Sequence, residues 1–177
     1  MNEPAPLLDR EGIEEAFRRL GDRLAKRGVV ADIYVFGGAA MALAYDSRRA
    51  TRDVDALFIP HGVVLEEARS VAAEMGLPDW WLNEQASSYA APGGDPSASR
   101  VFDHPGLRVF AASPEHLLAM KALAARPRDA QDIRQLVKVL NLHTVEEVLA
   151  LVQDVFPEEE PPPRLRLLLE DIFDLGG

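Results

Sequence analysis

The sequence predicts an α/β fold, because short β-rich segments alternate with segments of helical periodicity over residues 10–76. The order along this stretch is helix, strand, helix, strand, helix. A length of 177 residues suits one compact unit. Hydrophobic residues make up 47% of the chain and charged residues 27%, which is typical of a globular protein and excludes a wholly disordered one.

The N-terminal elements are marked by apolar spacing and by glycine. Over residues 10–27, apolar side chains recur at intervals of three and four, which predicts a helix, and Gly28 is suited to end it in a left-handed cap. Residues 32–36 (DIYVF) predict a buried strand that meets a tight turn. Residues 39–45 (AAMALAY) then have helical composition.

The middle of the chain contains a second strand and an irregular stretch. Residues 53–59 (DVDALFI) predict the strand, and residues 63–75 predict a helix that Gly76 ends. Residues 77–99 collect Gly, Pro and Ser, which predicts a loop with one short helix around residues 80–84.

The remaining chain is predicted to form a hairpin followed by helices. The hairpin pairs residues 100–104 with 107–111 around Pro105-Gly106. Ser113 precedes a proline, which predicts an N-cap, and Thr144 begins a capping box. The predicted helices cover residues 114–125, 129–140, the segment after residue 144, and 165–175.

Acidic side chains are concentrated near the C-terminus. The formal charge of the chain is −10, and residues 142–177 hold nine acidic and two basic residues. We therefore predict a domain over residues 1–141 and an acidic helical extension over residues 142–177 packed on the same domain. The overall acidity disfavours non-specific coating of nucleic acid, although arginines cluster at 48–52 and 126–134.

Composition also excludes several kinds of site. The absence of cysteine removes thiolate catalysis, cysteine-ligated zinc and iron–sulfur clusters. The four histidines lack HxH or HExxH spacing, which disfavours a zinc site. No segment approaches the roughly 18 apolar residues of a membrane helix, and no signal peptide is evident. We predict a cytoplasmic protein with no membrane partner.

Two carboxylates begin the second strand. Alternation along a strand directs Asp53 and Asp55 to the same face, about 7 Å apart at their Cα atoms. Such a pair must be solvated, paired with cationic groups or bound to a cation, because the charges repel each other. An oxygen-preferring ion such as Mg²⁺ fits this arrangement, and a polar strand end facing water is the alternative.

Gly37 and Gly38 lie between the first strand and the helix that follows it. Missing side chains at such a turn let a phosphate group approach the backbone at a helix N-terminus. The pattern is neither a Walker A loop nor GxGxxG, and close packing alone is the alternative reason for two glycines.

The run FGGAAMALAYDSRRATRDVDALF resembles the signature of the DNA-polymerase-β-like nucleotidyltransferase superfamily. The segment from Arg49 to Asp55, with HLLAMKALAARPRDAQDI further on, is similar to toxin nucleotidyltransferases of the AbiEii and MenT type and to their small standalone relatives. The resemblance covers roughly residues 30–140. It implies an α/β (α+β) nucleotidyltransferase fold with a small mixed β-sheet flanked by helices and a helical C-terminal part, and it makes residues 1–141 the nucleotidyltransferase domain.

The resemblance also implies roles for individual residues. Asp53 and Asp55 hold Mg²⁺ and are catalytic, and Lys121 is a further catalytic residue that neutralises phosphate charge. Nucleotide binding falls to Gly37, Gly38, Thr51 and Arg52. Asp129 and Asp132 correspond loosely to an acidic element of the relatives, and helix capping is the alternative role for them.

The activity implied is transfer of a nucleoside monophosphate from an NTP to an acceptor. The acceptor implied is the 3′ end of tRNA, and the protein would act as a toxin restrained by an antitoxin. Transfer to a small molecule or a protein, and a nucleotide-binding or partner-binding module without catalysis, are the alternatives. The last alternative is motivated by a departure from the pattern of the superfamily, which usually has a third carboxylate on a neighbouring strand. Residues 107–111 (LRVFA) contain no acid, and Glu84 and Asp103 are the nearby acids.

Overall fold

The computed structural model describes residues 3–46, 49–85 and 94–174 of the 177. Within these ranges the chain forms two compact units. The first contains the described residues up to 85 together with residues 98–112, and the second contains residues 94–97 and those from 113 onwards. The predicted division at 141–142 was drawn from charge and falls inside the second unit.

The first unit contains the sheet and the helices that follow its strands. Its elements, in chain order, are α1 (Arg10–Lys26), β1 (Ala31–Phe36), α2 (Gly37–Ala40), β2 (Val54–Ile59), α3 (His61–Met75), β3 (Leu82–Asn83), β4 (Ser99–His104) and β5 (Leu107–Ala111). Helix α2 continues directly into a π-helical turn, Met41–Tyr45. These bounds confirm the predicted alternation of helix and strand.

The strands form one mixed sheet in the order β3-β2-β1-β5-β4. Strand β1 is antiparallel to β2 and parallel to β5, β2 is parallel to β3, and β4 is antiparallel to β5. The small mixed sheet and the hairpin of β4 and β5 are therefore confirmed.

The two faces of the sheet differ in burial. Helices α1 and α3 pack against each other and against the sheet, so one face is buried along β1, β2 and β5. The other face is half-buried and carries the polar positions of β1, β2 and β5. The buried face includes Ile33, Val35, Val54, Ala56, Phe58, Leu107 and Val109. Alternation of one residue therefore decides which side chains of each strand are accessible to a ligand.

Caps fix the ends of several helices, and those at Gly28 and Gly76 are as predicted. The carboxylate of Asp9 accepts a hydrogen bond from the Gly12 amide at the start of α1. Gly28 and Gly76 have φ values of +70° and +66°, the left-handed conformation that glycine adopts without steric cost.

The predicted short helix at residues 80–84 is wrong. Trp81 is fully buried, and its indole N–H donates to the Ala68 carbonyl in α3. The Trp81 carbonyl accepts from the Val54 amide, and the next two residues pair with β2 as strand β3. Anchoring of the tryptophan in the core therefore extends the chain alongside β2. Residues 86–93 of the predicted loop lie outside the described residues.

The second unit is helical, as predicted for the C-terminal part. A 3₁₀ turn, Pro127–Asp129, precedes the second of its helices. The helices are α4 (Pro114–Ala124), α5 (Ala130–Val139), α6 (Val145–Val155) and α7 (Pro163–Asp174). Helix α4 packs against α5 and α6, and α7 packs against both of these.

The predicted caps of the second unit are also present. Ser113 accepts from the His116 amide, and Thr144 forms the capping box with Glu147. In the described ranges, no helix has the length and apolar character needed to cross a bilayer.

Candidate functional site

The glycine corner, Gly37 and Gly38, follows directly from the end of β1. Gly37 has a φ of +63°, and a Cβ atom there would lie 3.1 Å from the Asp55 Oδ2 atom. A Cβ atom at Gly38 would lie 3.0 Å from the Thr51 Oγ1 atom. Both glycines therefore bring bare main chain against side chains of the segment that enters β2, and the left-handed conformation makes glycine the favoured residue at position 37.

Asp55 stands on the half-buried face of the sheet. It is paired with Phe36 of β1, the residue that precedes the glycine corner. The neighbours of Asp55 in sequence, Val54 and Ala56, point to the opposite face and are completely buried. Because successive residues of a strand alternate, burial of these two holds the Asp55 carboxylate on the accessible side beside Gly37.

Asp53 lies just before β2 and is held by Asn83. The Asn83 side-chain amide donates to the Asp53 Oδ2 atom at 3.0 Å. Asn83 also stands in register with Asp55, because β3 runs parallel beside β2. The three polar side chains therefore lie on one side of the sheet, at its end nearest the glycine corner.

Thr51 is fixed by an isolated bridge to the segment that precedes α1. The amide and carbonyl of Thr51 exchange hydrogen bonds with Leu8 at 2.8 and 2.7 Å. The Thr51 hydroxyl donates to the carbonyl of Asp53 at 3.0 Å and lies against Gly38. The segment that carries the two aspartates is thereby tied to the glycine corner.

Arg52, which is predicted to bind nucleotide, is exposed, and two arginines without a predicted site role lie near the corner or near the segment that follows it. The guanidinium of Arg49 lies 3.7 Å from the position of a Cβ atom at Gly38. Arg10 donates to the carbonyls of Ala42 and Leu43, both at 3.1 Å, and so holds the helical segment that follows the corner. Arg48, a member of the predicted arginine cluster, lies outside the described residues.

Lys121 belongs to the second unit and is buried. Its ammonium group lies 2.9 Å from the Asp132 carboxylate and 3.2 Å from that of Asp129, and Arg126 binds Asp129 as well. Burial of two acids beside one lysine is tolerable because the charges compensate each other. Lys121, Asp129 and Asp132 therefore form one ion-pair cluster at the junction of α4 and α5.

The outer strand beside the aspartates is β3. In the sequence, residues 107–111, which form β5, are instead considered as the strand that would carry a third carboxylate. Strand β5 pairs with β1, away from β2, so its lack of an acid says nothing about the neighbour of β2. The two substitutes considered have other partners: Glu84 pairs with His61, and Asp103 pairs with Arg100.

The chemistry of the donor set fits magnesium. Across the part of the chain that the structure describes, no group of three or more His, Cys, Asp or Glu residues is arranged to hold a metal. Mg²⁺ commonly takes one or two carboxylates and completes its shell with water and substrate phosphates. Asp53 and Asp55 supply such a pair of hard oxygen donors, and the glycine corner leaves the space beside Asp55 that a Cβ atom would fill.

The buried strand, the glycine corner and the Asp-x-Asp segment that leads into the next strand are typical of a nucleotidyltransferase domain. The chain belongs to the family described as nucleotidyltransferase of unknown function (DUF6036), whose model matches residues 13–169. Among solved structures, it is similar to an antigenic nucleotidyltransferase-like protein from Paracoccidioides brasiliensis, with 16% sequence identity and a TM-score of 0.47. That similarity covers 93% of this chain and 95% of the other. No curated protein matches.

Proposed function

We propose that the protein is a magnesium-dependent nucleotidyltransferase that moves a nucleoside monophosphate from an NTP to an acceptor. The observation that carries this proposal is the contact of the glycine corner with the aspartate segment. The Asp55 carboxylate lies 3.1 Å from the place of a Gly37 Cβ atom, and the Asp53 carboxylate is held on the same side by Asn83. Membership of the nucleotidyltransferase family supports the reaction class.

The proposed roles follow from the position and charge of each group. Asp53 and Asp55 would hold the cation, and Gly37 and Gly38 would receive the triphosphate against bare main chain. Bound Mg²⁺ would supply electrostatic stabilisation of the phosphate charge. Arg49, beside Gly38, adds a cation at the corner.

In the transfer step, an acceptor oxygen forms a bond to the α-phosphorus. The bond from that phosphorus to the oxygen that bridges the α- and β-phosphates breaks. Pyrophosphate leaves with the bonding electron pair, and the acceptor proton passes to solvent or to a carboxylate of the site. The chain contributes mainly by positioning and charge stabilisation, which account for most of the catalysis in phosphoryl transfer.

The resemblance to toxin nucleotidyltransferases supports the 3′ end of tRNA as acceptor, with an antitoxin as partner. The net charge of −10 favours a second candidate, transfer to a small molecule or a protein hydroxyl, because an acidic chain does not concentrate polyanions. A third candidate is a module that binds nucleotides without transferring them. Asn83 favours it, because the side chain that β3 places beside the aspartates is an amide and not a third carboxylate.

One labelling experiment separates these candidates. The wild-type protein is incubated with Mg²⁺ and each α-³²P-labelled NTP, and with purified tRNA, total protein or a small-molecule extract. Label in tRNA supports the first candidate. Label in protein, or in a small molecule that is neither the NTP nor its NMP, supports the second. Pyrophosphate release with the label recovered only as NMP indicates hydrolysis. Saturable NTP binding without pyrophosphate release would exclude transferase activity.

A further inference from the structure

Asn83 occupies a special place in the sheet. Strand β3 has two residues and borders β2, and the pairing sets Asn83 beside Asp55 on the face that carries the aspartates. Asn83 is 8% exposed, which is unusual for a side chain with both a hydrogen-bond acceptor, Oδ1, and a donor, Nδ2. Its burial requires that these atoms find partners within the protein.

The partners of Asn83 fix the orientation of its amide group. The side-chain nitrogen donates to the Asp53 carboxylate at 3.0 Å and to the Trp80 carbonyl at 3.2 Å. The side-chain oxygen accepts from the Gln85 backbone amide at 3.1 Å. A flipped amide would place its oxygen against two acceptors and its nitrogen against a donor, so the network selects one orientation.

An amide at this place has consequences that a carboxylate would not have. It donates a hydrogen bond to the Asp53 carboxylate, and it adds no negative charge to a site that already contains two acidic side chains. A carboxylate in the same position would put an oxygen about 3 Å from the Asp53 Oδ2 atom. Repulsion there would be relieved only by a proton or a cation.

We propose that Asn83 is the positioning residue for Asp53, and that it keeps the cation site at two carboxylates. The inference rests on the proposed function, since it concerns the same site. Asn83 acts through Asp53: its amide holds the Asp53 carboxylate in the orientation that binds the cation. Partners of this kind typically change metal affinity by about 10- to 100-fold when they are removed.

The test measures Mn²⁺ binding, because paramagnetic Mn²⁺ can stand in for Mg²⁺ and free ion can be counted by electron paramagnetic resonance. The full chain is titrated with Mn²⁺ alone and in the presence of each of the four ribonucleoside triphosphates. The variants are Asn83→Ala, Asn83→Asp and Asn141→Asp. Asn141 is exposed and is not a residue of the candidate site, so its variant controls for the addition of one negative charge.

We expect Asn83→Ala to weaken Mn²⁺ binding by about tenfold or more. Asn83→Asp retains the acceptor for Gln85 but brings a third acid to Asp53. It should therefore bind Mn²⁺ with a steeper pH dependence than the wild type, and Mn²⁺ should raise its unfolding temperature by more. A purely structural role for Asn83 predicts lower unfolding temperatures in both variants, with the Mn²⁺ affinity and its pH dependence unchanged.

The outcomes separate the inference from the proposed function. Wild-type binding that both Asn83 variants leave unaltered in affinity and pH dependence overturns the positioning role and leaves the proposed function standing. A wild-type protein that binds no Mn²⁺, with or without any NTP, overturns the proposed function and the inference together. If Asn83→Ala does not fold, Asn83→Asp decides the question: a Mn²⁺-dependent gain in unfolding temperature no larger than that of the wild type overturns the inference.

Discussion

The Oδ2 atom of Asp55 lies 3.1 Å from the place that a Cβ atom would take on Gly37. The two residues are 18 positions apart in sequence, and pairing of β1 with β2 brings them together. Gly37 also has a φ of +63°, so the requirement for glycine is both conformational and steric. The corner and the acid are therefore one structural feature, and a change at either should disturb the other.

Gly37→Ala tests this relationship. The left-handed conformation should cost about 1 kcal/mol of stability, and the new methyl group should displace the Asp55 carboxylate. Gly76→Ala is a matched control, because Gly76 has a φ of +66° and open space around it. Urea unfolding should show a loss for both variants, the larger one for Gly37→Ala because its methyl group also meets Asp55, whereas Mg-NTP binding should weaken only in Gly37→Ala. Equal nucleotide affinity in the two variants would separate the glycine corner from the site.

The buried cluster around Lys121 gives a prediction for the second unit. Lys121→Met leaves Asp129 and Asp132 buried without their lysine, which should cost about 3 to 5 kcal/mol. Adding Asp129→Asn and Asp132→Asn to the same chain removes the uncompensated charges and should recover most of the loss. Urea midpoints of the single and triple variants measure both effects. A single variant as stable as the wild type would show that the lysine contributes no net stabilisation.

Nucleotide transfer by these Lys121 variants separates a structural role from the catalytic one that the resemblance implies. If the lysine acts on the phosphates, the triple variant should be stable and yet inactive. If it only compensates the two acids, the triple variant should regain activity with its stability. Lys121→Arg, which keeps the charge, serves as the conservative control.

His116 predicts how the second unit responds to acid. Burial lowers the pKa of His116, and the Asp95 carboxylate, 4.0 Å from its Nδ1 atom, opposes that shift only in part. The folded state therefore takes up a proton less readily than the unfolded chain. The stability that this contributes should be fully present above the ordinary histidine pKa of about 6.5, and it should be lost as the pH falls below that value and through the lowered pKa of the folded state.

His116→Gln should flatten this dependence between pH 7.5 and pH 5.5, a window in which exposed carboxylates stay ionised. His143→Gln is the control, because His143 is exposed. Unfolding midpoints in urea across the window provide the measurement. A slope in His116→Gln equal to that of the wild type would assign the acid response to other groups.

Local sequence signals predicted most of the elements, because the interactions that define them are local. Helix α1 follows from apolar spacing and from Gly28, and the cap of α6 follows from Thr144 and Glu147, three positions apart. Strand β3 could not be predicted in this way. Two residues have no periodicity, and burial of Trp81 against α3 decides their conformation.

The candidate site could be predicted where its residues lie together in one motif. Residues that reach this motif from distant parts of the sequence could not be predicted. The glycine corner and the two aspartates lie in one run of sequence. Asn83 contacts Asp53 from 30 positions away, and Arg10 reaches Ala42 from 32 away. The one sequence signal for Asn83 is a polar residue directly after the apolar run Trp80-Trp81-Leu82, a strand-like feature within an otherwise irregular stretch.

Asp53 and Asp55 are proposed to bind a cation together with a triphosphate held at the glycine corner. Thermal unfolding of the full chain with Mg²⁺ and each NTP tests this proposal directly, with Asp103→Asn as control because Asp103 is exposed. At a hundredfold excess over Kd, the wild type and the control should gain about 5 °C or more. Asp53→Asn and Asp55→Asn should keep their fold and lose that gain. An undiminished gain in both variants would show that these two aspartates do not bind the cation of the nucleotide complex.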